Sequence, residues 1–167
     1  GVTRVSLGVQ SLDDGALATL GRVHSSAQAR EALALCVKEG FATSADLMFG
    51  LPHQTMTQWH RHLKAVVELG VKHLSVYQLT LEPGTSWGAC PPEGLGEGYP
   101  FYRFAQWYLP RKGLNQYEVA SFSFPGHRPR HNFAYWKHLP VLGLGPGACS
   151  YVQGWRFRQE MTLKDHG

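Results

Sequence analysis

Asp46 stands inside the apolar run Ala45-Asp46-Leu47-Met48-Phe49. A carboxylate withdrawn from water without a partner is costly, so this one must be paired, hydrated or bound to a ligand. Gln10 closes an alternating segment, and its amide can both donate to and accept from a carboxylate, an amine or a ribose. Arg22 lies twelve residues on, in Leu20-Gly21-Arg22-Val23-His24. There its guanidinium could clamp a carboxylate or simply sit solvated at a helix end. Gly50-Leu51-Pro52 makes a tight turn that lets a ligand approach the backbone, or one that serves shape alone. The densest chemistry lies in His127-Arg128-Pro129-Arg130-His131-Asn132-Phe133-Ala134-Tyr135-Trp136. Neutral imidazole is an iron ligand, Tyr135 and Trp136 could stack on a planar macrocycle, and Arg128 or Arg130 could pair with its carboxylates. A purely structural aromatic cluster would read the same way.

The other histidines and the thiols are less pointed. There are 9 histidines, but none forms an i, i+4 pair beside a glutamate, and His60 and His62 fall on different faces of a helix. Cys36, Cys90 and Cys149 are more than 50 residues apart, which suits neither a disulfide framework nor a zinc or cluster motif. We read them as buried or incidental thiols, and expect no metal site formed by this chain alone.

The elements that must hold these residues follow from periodicity. Arg4 to Gln10 alternates as a strand, with Val5, Leu7 and Val9 on one face. A helix is expected from Ser11 as N-cap, with Asp13 and Asp14 in its first turn. Ser25-Ser26-Ala27-Gln28 resembles a capping box for a helix carrying Ala29, Leu33, Cys36 and Val37, stopped by Gly40. The pattern repeats. Thr43 to Gly50 is strand-like, Thr55 to Gln58 caps a helix with the stripe Trp59, Leu63, Val66 and Val67, and His73 to Thr80 is a third strand. Strands alternating with capped amphipathic helices predict an α/β fold with parallel pairing. Residues 83–98 are rich in Gly and Pro and read as a linker or long loop between a first domain, 1–82, and a C-terminal region, 99–167. Beyond it, Phe101 to Leu109 is expected to be helical until Pro110, Tyr117 to Phe122 a strand, and Val141 to Gly147 a Gly-rich turn.

With 167 residues, 43% hydrophobic and 17% charged, the chain can bury one sizeable core and a small second unit. No stretch approaches the ~18 to 20 apolar residues of a spanning helix, and no basic-then-apolar leader opens the chain. A cytoplasmic protein is expected, or a mitochondrial one in a eukaryote. Residues 1–100 carry 7 basic and 9 acidic side chains, and residues 101–167 carry 9 and 3. The positive surplus is spread out rather than run together, which argues against a nucleic-acid partner and suits an anionic small molecule.

Taken in order, Gly1-Val-Thr-Arg-Val-Ser-Leu-Gly-Val-Gln-Ser-Leu-Asp-Asp14, Leu20-Gly-Arg-Val-His24, Asp46-Leu-Met-Phe-Gly-Leu-Pro-His-Gln-Thr55 and Leu74-Ser-Val-Tyr-Gln-Leu-Thr-Leu-Glu-Pro-Gly-Thr85 resemble the middle of the oxygen-independent coproporphyrinogen III oxidase-like family of radical S-adenosylmethionine proteins. Gln116 to Phe122, His131 to Trp136 and Leu142 to Ala148 continue the resemblance, which therefore covers residues 1 to about 152. It implies the last three parallel βα units of a TIM-type radical S-adenosylmethionine barrel, followed by a small α+β region. It also implies that Gln10, Arg22, Asp46 and Thr80 contact S-adenosylmethionine, with Gln10 and Arg22 at the methionyl end. Within the family, His131-Asn132-Phe133-Ala134-Tyr135-Trp136 marks the heme-chaperone branch, which implies heme binding by His131, Tyr135 and Trp136 and delivery to heme-accepting proteins. The alternative is the oxidase activity, radical decarboxylation of coproporphyrinogen III propionates, and whether the chain is an enzyme stays open. The family's Cys-x-x-x-Cys-x-x-Cys segment for the 4Fe-4S cluster and its Gly-rich loop are absent, so the chain is expected to be a piece that lacks cofactor cleavage by itself. Relatives carry His after Gly-Pro-Gly-Ala where this chain has Cys149, a soft ligand for iron.

Overall fold

A computed structural model describes residues 1–160 and divides the chain into two compact units, 1–128 and 129 onward. The first unit is built on a five-stranded sheet in the order β1-β2-β3-β5-β4. Strands β1 (Arg4–Gln10), β2 (Ala42–Phe49) and β3 (His73–Gln78) are parallel. Strand β5 (Ser121–Ser123) runs antiparallel to β3, and β4 (Asn115–Gln116) antiparallel to β5. The sheet is thus mostly parallel, as the alternation of strands and helices requires.

The helices are set by their caps. Ser25 and Thr55 both close reciprocal capping boxes, with Gln28 and Gln58, at the starts of α2 (Ser26–Lys38) and α3 (Met56–Glu68). Each satisfies two orphan backbone donors just where an apolar stripe begins. Helix α1 (Asp14–Thr19) starts later than expected: Asp13, not Ser11, is its N-cap, with Oδ1 accepting from the Ala16 amide at 2.8 Å. Ser11 instead accepts from the Asp13 amide at 3.1 Å, a local turn that competes with helix extension. Helix α5 (Gly98–Tyr108) ends before Pro110, which opens a single 3₁₀ turn over Pro110–Lys112. Ala45, Leu47 and Phe49 of β2, Leu74 and Val76 of β3, Trp59, Leu63 and Val66 of α3 and Phe101, Ala105 and Leu109 around α5 share one apolar core.

Two expectations are corrected here. The strand over Tyr117 to Phe122 shrinks to Ser121–Ser123, because the chain turns between β4 and β5: the Tyr117 amide donates to Ser121 at 3.2 Å, and the Val119 carbonyl accepts from Tyr102 and Gln116. The 83–98 segment is a connection inside the first unit, carrying the short α4 (Ser86–Ala89), since α5 and β5 pack on the same core as β2 and β3. The compact units part at Arg128 and Pro129 instead.

The second unit contains α6 (Arg130–Trp136) and an antiparallel hairpin of β6 (Cys149–Val152) and β7 (Trp155–Arg158). The hairpin turns through Gln153 and Gly154, both at positive φ (52° and 85°), the geometry whose twist suits a two-residue loop.

Two histidines are buried in the first unit. His62 is held down to a pKa of about 4 first of all by burial, with Arg30 lowering it further and Asp13 opposing. His73 is likewise held at about 4 by burial, with Arg4 lowering and Glu118 raising it. The folded chain therefore refuses protons that the unfolded chain, with ordinary imidazoles near 6.5, accepts. Stability from both is complete above about pH 6.5 and is lost progressively as the pH falls toward 4. The urea midpoint is expected to be clearly lower at pH 5 than at pH 7.5, and the double variant His62→Gln, His73→Gln to flatten the difference. A midpoint unchanged between the two pH values contradicts this.

Candidate functional site

The sheet of the first unit has one apolar and one polar face. Register puts Ser6 beside Ser44, Ser44 beside His73, Asp46 beside Ser75 and Met48 beside Tyr77, and pairs His73 with Ser123 and Ser75 with Ser121. Alternation then brings Ser6, Ser44, Asp46, His73, Ser75, Ser121 and Ser123 to the face opposite the core residues Ala45, Leu47, Leu74 and Val76. Toward the strand starts this face is tied together: Arg4 donates to Ser44 Oγ at 2.9 Å and to the His127 carbonyl at 2.6 Å, and His73 Nε2 meets the Tyr117 hydroxyl at 2.6 Å.

Toward the strand ends it carries two of the four residues expected to contact S-adenosylmethionine. Asp46 is half-buried, and burial raises its pKa from the ordinary value while a hydrogen bond with Ser75 partly restores it. Gln10 sits at φ 64°, in the left-handed region, where the β1–β2 register shifts between Leu7 and Gln10. A side chain at Gly8 would lie 3.0 Å from Gln10 Nε2, so the amide is folded back over Gly8, opposite the stretch of β2 that holds Asp46. Backbone strain of this kind in a non-glycine residue costs of order 1–3 kcal/mol and gathers at ligand clamps. An amide that donates and accepts beside a half-desolvated carboxylate suits a small zwitterionic or hydroxyl-bearing ligand.

Ser75→Ala removes the hydrogen bond that favours the Asp46 carboxylate. The Asp46 pKa is expected to rise further, with little change in fold, since the replacement is small. Carboxyl ¹³C NMR through a pH titration reads this directly, and an unchanged or lower Asp46 pKa contradicts it.

Arg22 and Thr80 lie elsewhere along the strand-end loops. Both are exposed: Arg22 follows α1, its amide donating to the Leu17 carbonyl at 2.9 Å, and Thr80 follows β3. Thr80 and Gly21, the residue before Arg22, border one cavity of about 350 Å³, which neither Gln10 nor Asp46 reaches. In the second unit, α6 puts His131 and Tyr135 on one side at i, i+4, their rings 4.8 Å apart and perpendicular, and sets Phe133 against Trp136 at 5.3 Å. Tyr135 and Trp136 stay 46% and 45% exposed. Cys36, Cys90 and Cys149 are free thiols on separate elements, and among the described residues no group of three or more His, Cys, Asp or Glu is placed to hold a metal ion. The thiols do not fit an iron-sulfur cluster.

No family model matches the chain. Individual proteins do. The chain is 41% identical over 97% of its length to the heme chaperone HemW of Synechocystis sp., and 38% identical over 91% to HemW of Escherichia coli. It is 40% identical over 89% to the bovine radical S-adenosyl methionine domain-containing protein 1, mitochondrial. Over most of its length the chain is similar to a part of these HemW-like radical S-adenosylmethionine proteins. It spans 41% of the length of the two HemW proteins and 35% of the bovine one. In fold, 98% of the chain superposes on 42% of the E. coli coproporphyrinogen III oxidase HemN, a radical SAM enzyme, with a TM-score of 0.81 at 23% identity. No helix among its described residues is long and apolar enough to cross a membrane.

Sequence reasoning missed Ser75 and the serines beside it. Alternation along His73-Leu74-Ser75 would have found Ser75 once Asp46 was recognised as a residue needing a partner across the next strand.

Proposed function

We propose that the chain is the part of a radical S-adenosylmethionine heme chaperone that binds heme and passes it to heme-accepting proteins. The observation that carries this reading is the 38–41% identity to HemW proteins over 91–97% of the chain, beside α6, an exposed helix pairing an imidazole with open aromatic rings. In this reading His131 would supply a nitrogen to heme iron, while Tyr135 and Trp136 would cover part of the porphyrin and Arg130 would offer a cation to a propionate. A carrier must let its cargo go. A short exposed helix that contacts one face of the ring, without enclosing it, suits release better than a deep pocket.

Gln10 and Asp46, with Arg22 and Thr80 on the neighbouring loops, form the S-adenosylmethionine end of the reading. Strands β1, β2 and β3 with their helices stand for the last three βα units of the barrel, and the Gln10 amide and half-buried Asp46 would meet the ligand's amino-acid and hydroxyl groups. S-Adenosylmethionine, when bound, would supply a sulfonium whose reductive C–S cleavage takes one electron from a donor outside this chain. This chain's residues would bind and orient it. The compartment is the cytoplasm, or the mitochondrion in a eukaryotic source. The likeness to coproporphyrinogen III oxidase is one of fold, and no described residue favours decarboxylation over transfer. Titrating the chain with hemin tests the reading: a saturable Soret change at one heme per chain is expected, and an increase linear in hemin without saturation counts against it.

A further inference from the structure

The loops after β1 and β2 and the β3–α5 connection enclose a second cavity, of about 510 Å³, that none of Gln10, Arg22, Asp46 or Thr80 borders. Its size is that of a small-molecule site, for which roughly 300–1,000 Å³ is usual. Its rim is held in place rather than loose. His53, at φ 55°, donates its amide to the Gly94 carbonyl at 2.7 Å, and its ring lies so close to Gly94 that any side chain there would collide with it. This joins the post-β2 loop to the β3–α5 connection and closes one wall.

The lining has a definite chemistry. Among the described residues its charged members are Asp13 and Glu93, with no Lys or Arg. Asp13 uses Oδ1 to cap α1, and as a carboxylate it keeps a second oxygen for a ligand. His62 borders the cavity while only 5% exposed, and its Nδ1 is fully buried without a hydrogen-bond partner. Nε2 is then the ring nitrogen left to meet a ligand, and a neutral imidazole can offer it as an acceptor. Leu51 and Trp87 add apolar and aromatic surface. An anion would face two carboxylates, and a metal ion would lack a set of three ligands among the described residues.

We propose that this cavity binds a small protonated amine with a compact apolar body, its ammonium group taken by Asp13 and His62 and its body lodged against Leu51 and Trp87. The half-buried Asp13 carboxylate gives such a cation its charge-assisted hydrogen bond, and the indole adds a cation–π attraction. The site is independent of the heme and S-adenosylmethionine readings and uses none of their residues.

Phenethylamine, with 2-phenylethanol and phenylacetate as neutral and anionic counterparts of similar shape, probes it by ¹H–¹⁵N NMR of the chain at pH 7. The amine is expected to give saturable shifts at the Trp87 indole N–H and the amides around Asp13, and the other two much weaker ones. Asp13→Asn keeps the helix cap, since Asn caps as well as Asp, yet removes the charge, and is expected to weaken the amine by about tenfold or more with the spectrum otherwise preserved. Glu93→Gln weakens it less, and Asp46→Asn leaves it unchanged. The proposal is overturned if the alcohol binds as tightly as the amine, if Asp13→Asn leaves the affinity intact, or if no shift saturates.

Discussion

Trp59→Ala is expected to destabilise the first unit by about 3–5 kcal/mol, the cost of removing a large buried aromatic side chain and leaving a cavity. Trp59 is completely buried on α3, its ring 5.7 Å from that of Phe49 on β2, and its Nε1 donates to the Phe101 carbonyl of α5 at 2.9 Å. One side chain thus joins two helices to the strand that carries Asp46. Against a total stability of about 5–15 kcal/mol for a domain, the loss is large enough to leave a substantial unfolded population at 37 °C. Trp59→Phe separates the two contributions: it keeps most of the apolar volume and forfeits the hydrogen bond, for which about 1–2 kcal/mol is expected. Urea unfolding followed by far-UV circular dichroism measures both. If Trp59→Ala costs less than about 1 kcal/mol, comparable to a surface substitution, then α5 does not depend on this contact and the core description is wrong.

The second large effect lies on α6. His131→Ala is expected to lower hemin affinity by at least about tenfold, since an axial nitrogen contributes well above the ~1.4 kcal/mol that corresponds to that factor, while leaving the structure intact. His131 is exposed, and its described ring contact is the edge-on one with Tyr135, so no core packing is lost. Far-UV circular dichroism of the variant should match that of the parent chain. Tyr135→Ala and Trp136→Ala are expected to weaken hemin less, because each removes stacking area and leaves the iron ligand.

What could be read in the sequence divides along physical lines. The two capping boxes, at Ser25 and Thr55, were legible because their signal is local: a hydroxyl and an amide three residues apart ahead of an apolar stripe. The parallel order of β1, β2 and β3 followed from the same alternation. Asp46 stood out because a carboxylate in an apolar run must be accounted for, and its half-burial and raised pKa agree with that. Its partner Ser75 was not legible, because strand register is a non-local property that no single segment states. The same holds for β5: Ser121–Ser123 joins the sheet beside β3 across more than forty residues, so the 83–98 stretch looked like a division although the core runs through it. The β6–β7 hairpin leaves a weaker local trace, Gln153-Gly154 between two β-rich runs. Gln10 was named as a strand-end amide, but its left-handed backbone and its fold over Gly8 belong to the register shift with β2 and could not be read from β1 alone.

Heme binding through α6 is the claim on which the functional account stands. Its most direct test is a hemin titration of the parent chain and of His131→Ala side by side, followed at the Soret band with circular dichroism as the check on folding. The account predicts one saturable site in the parent chain and at least an approximately tenfold weaker one in the variant. Equal affinities in two equally folded proteins would contradict it and remove His131 as the iron ligand.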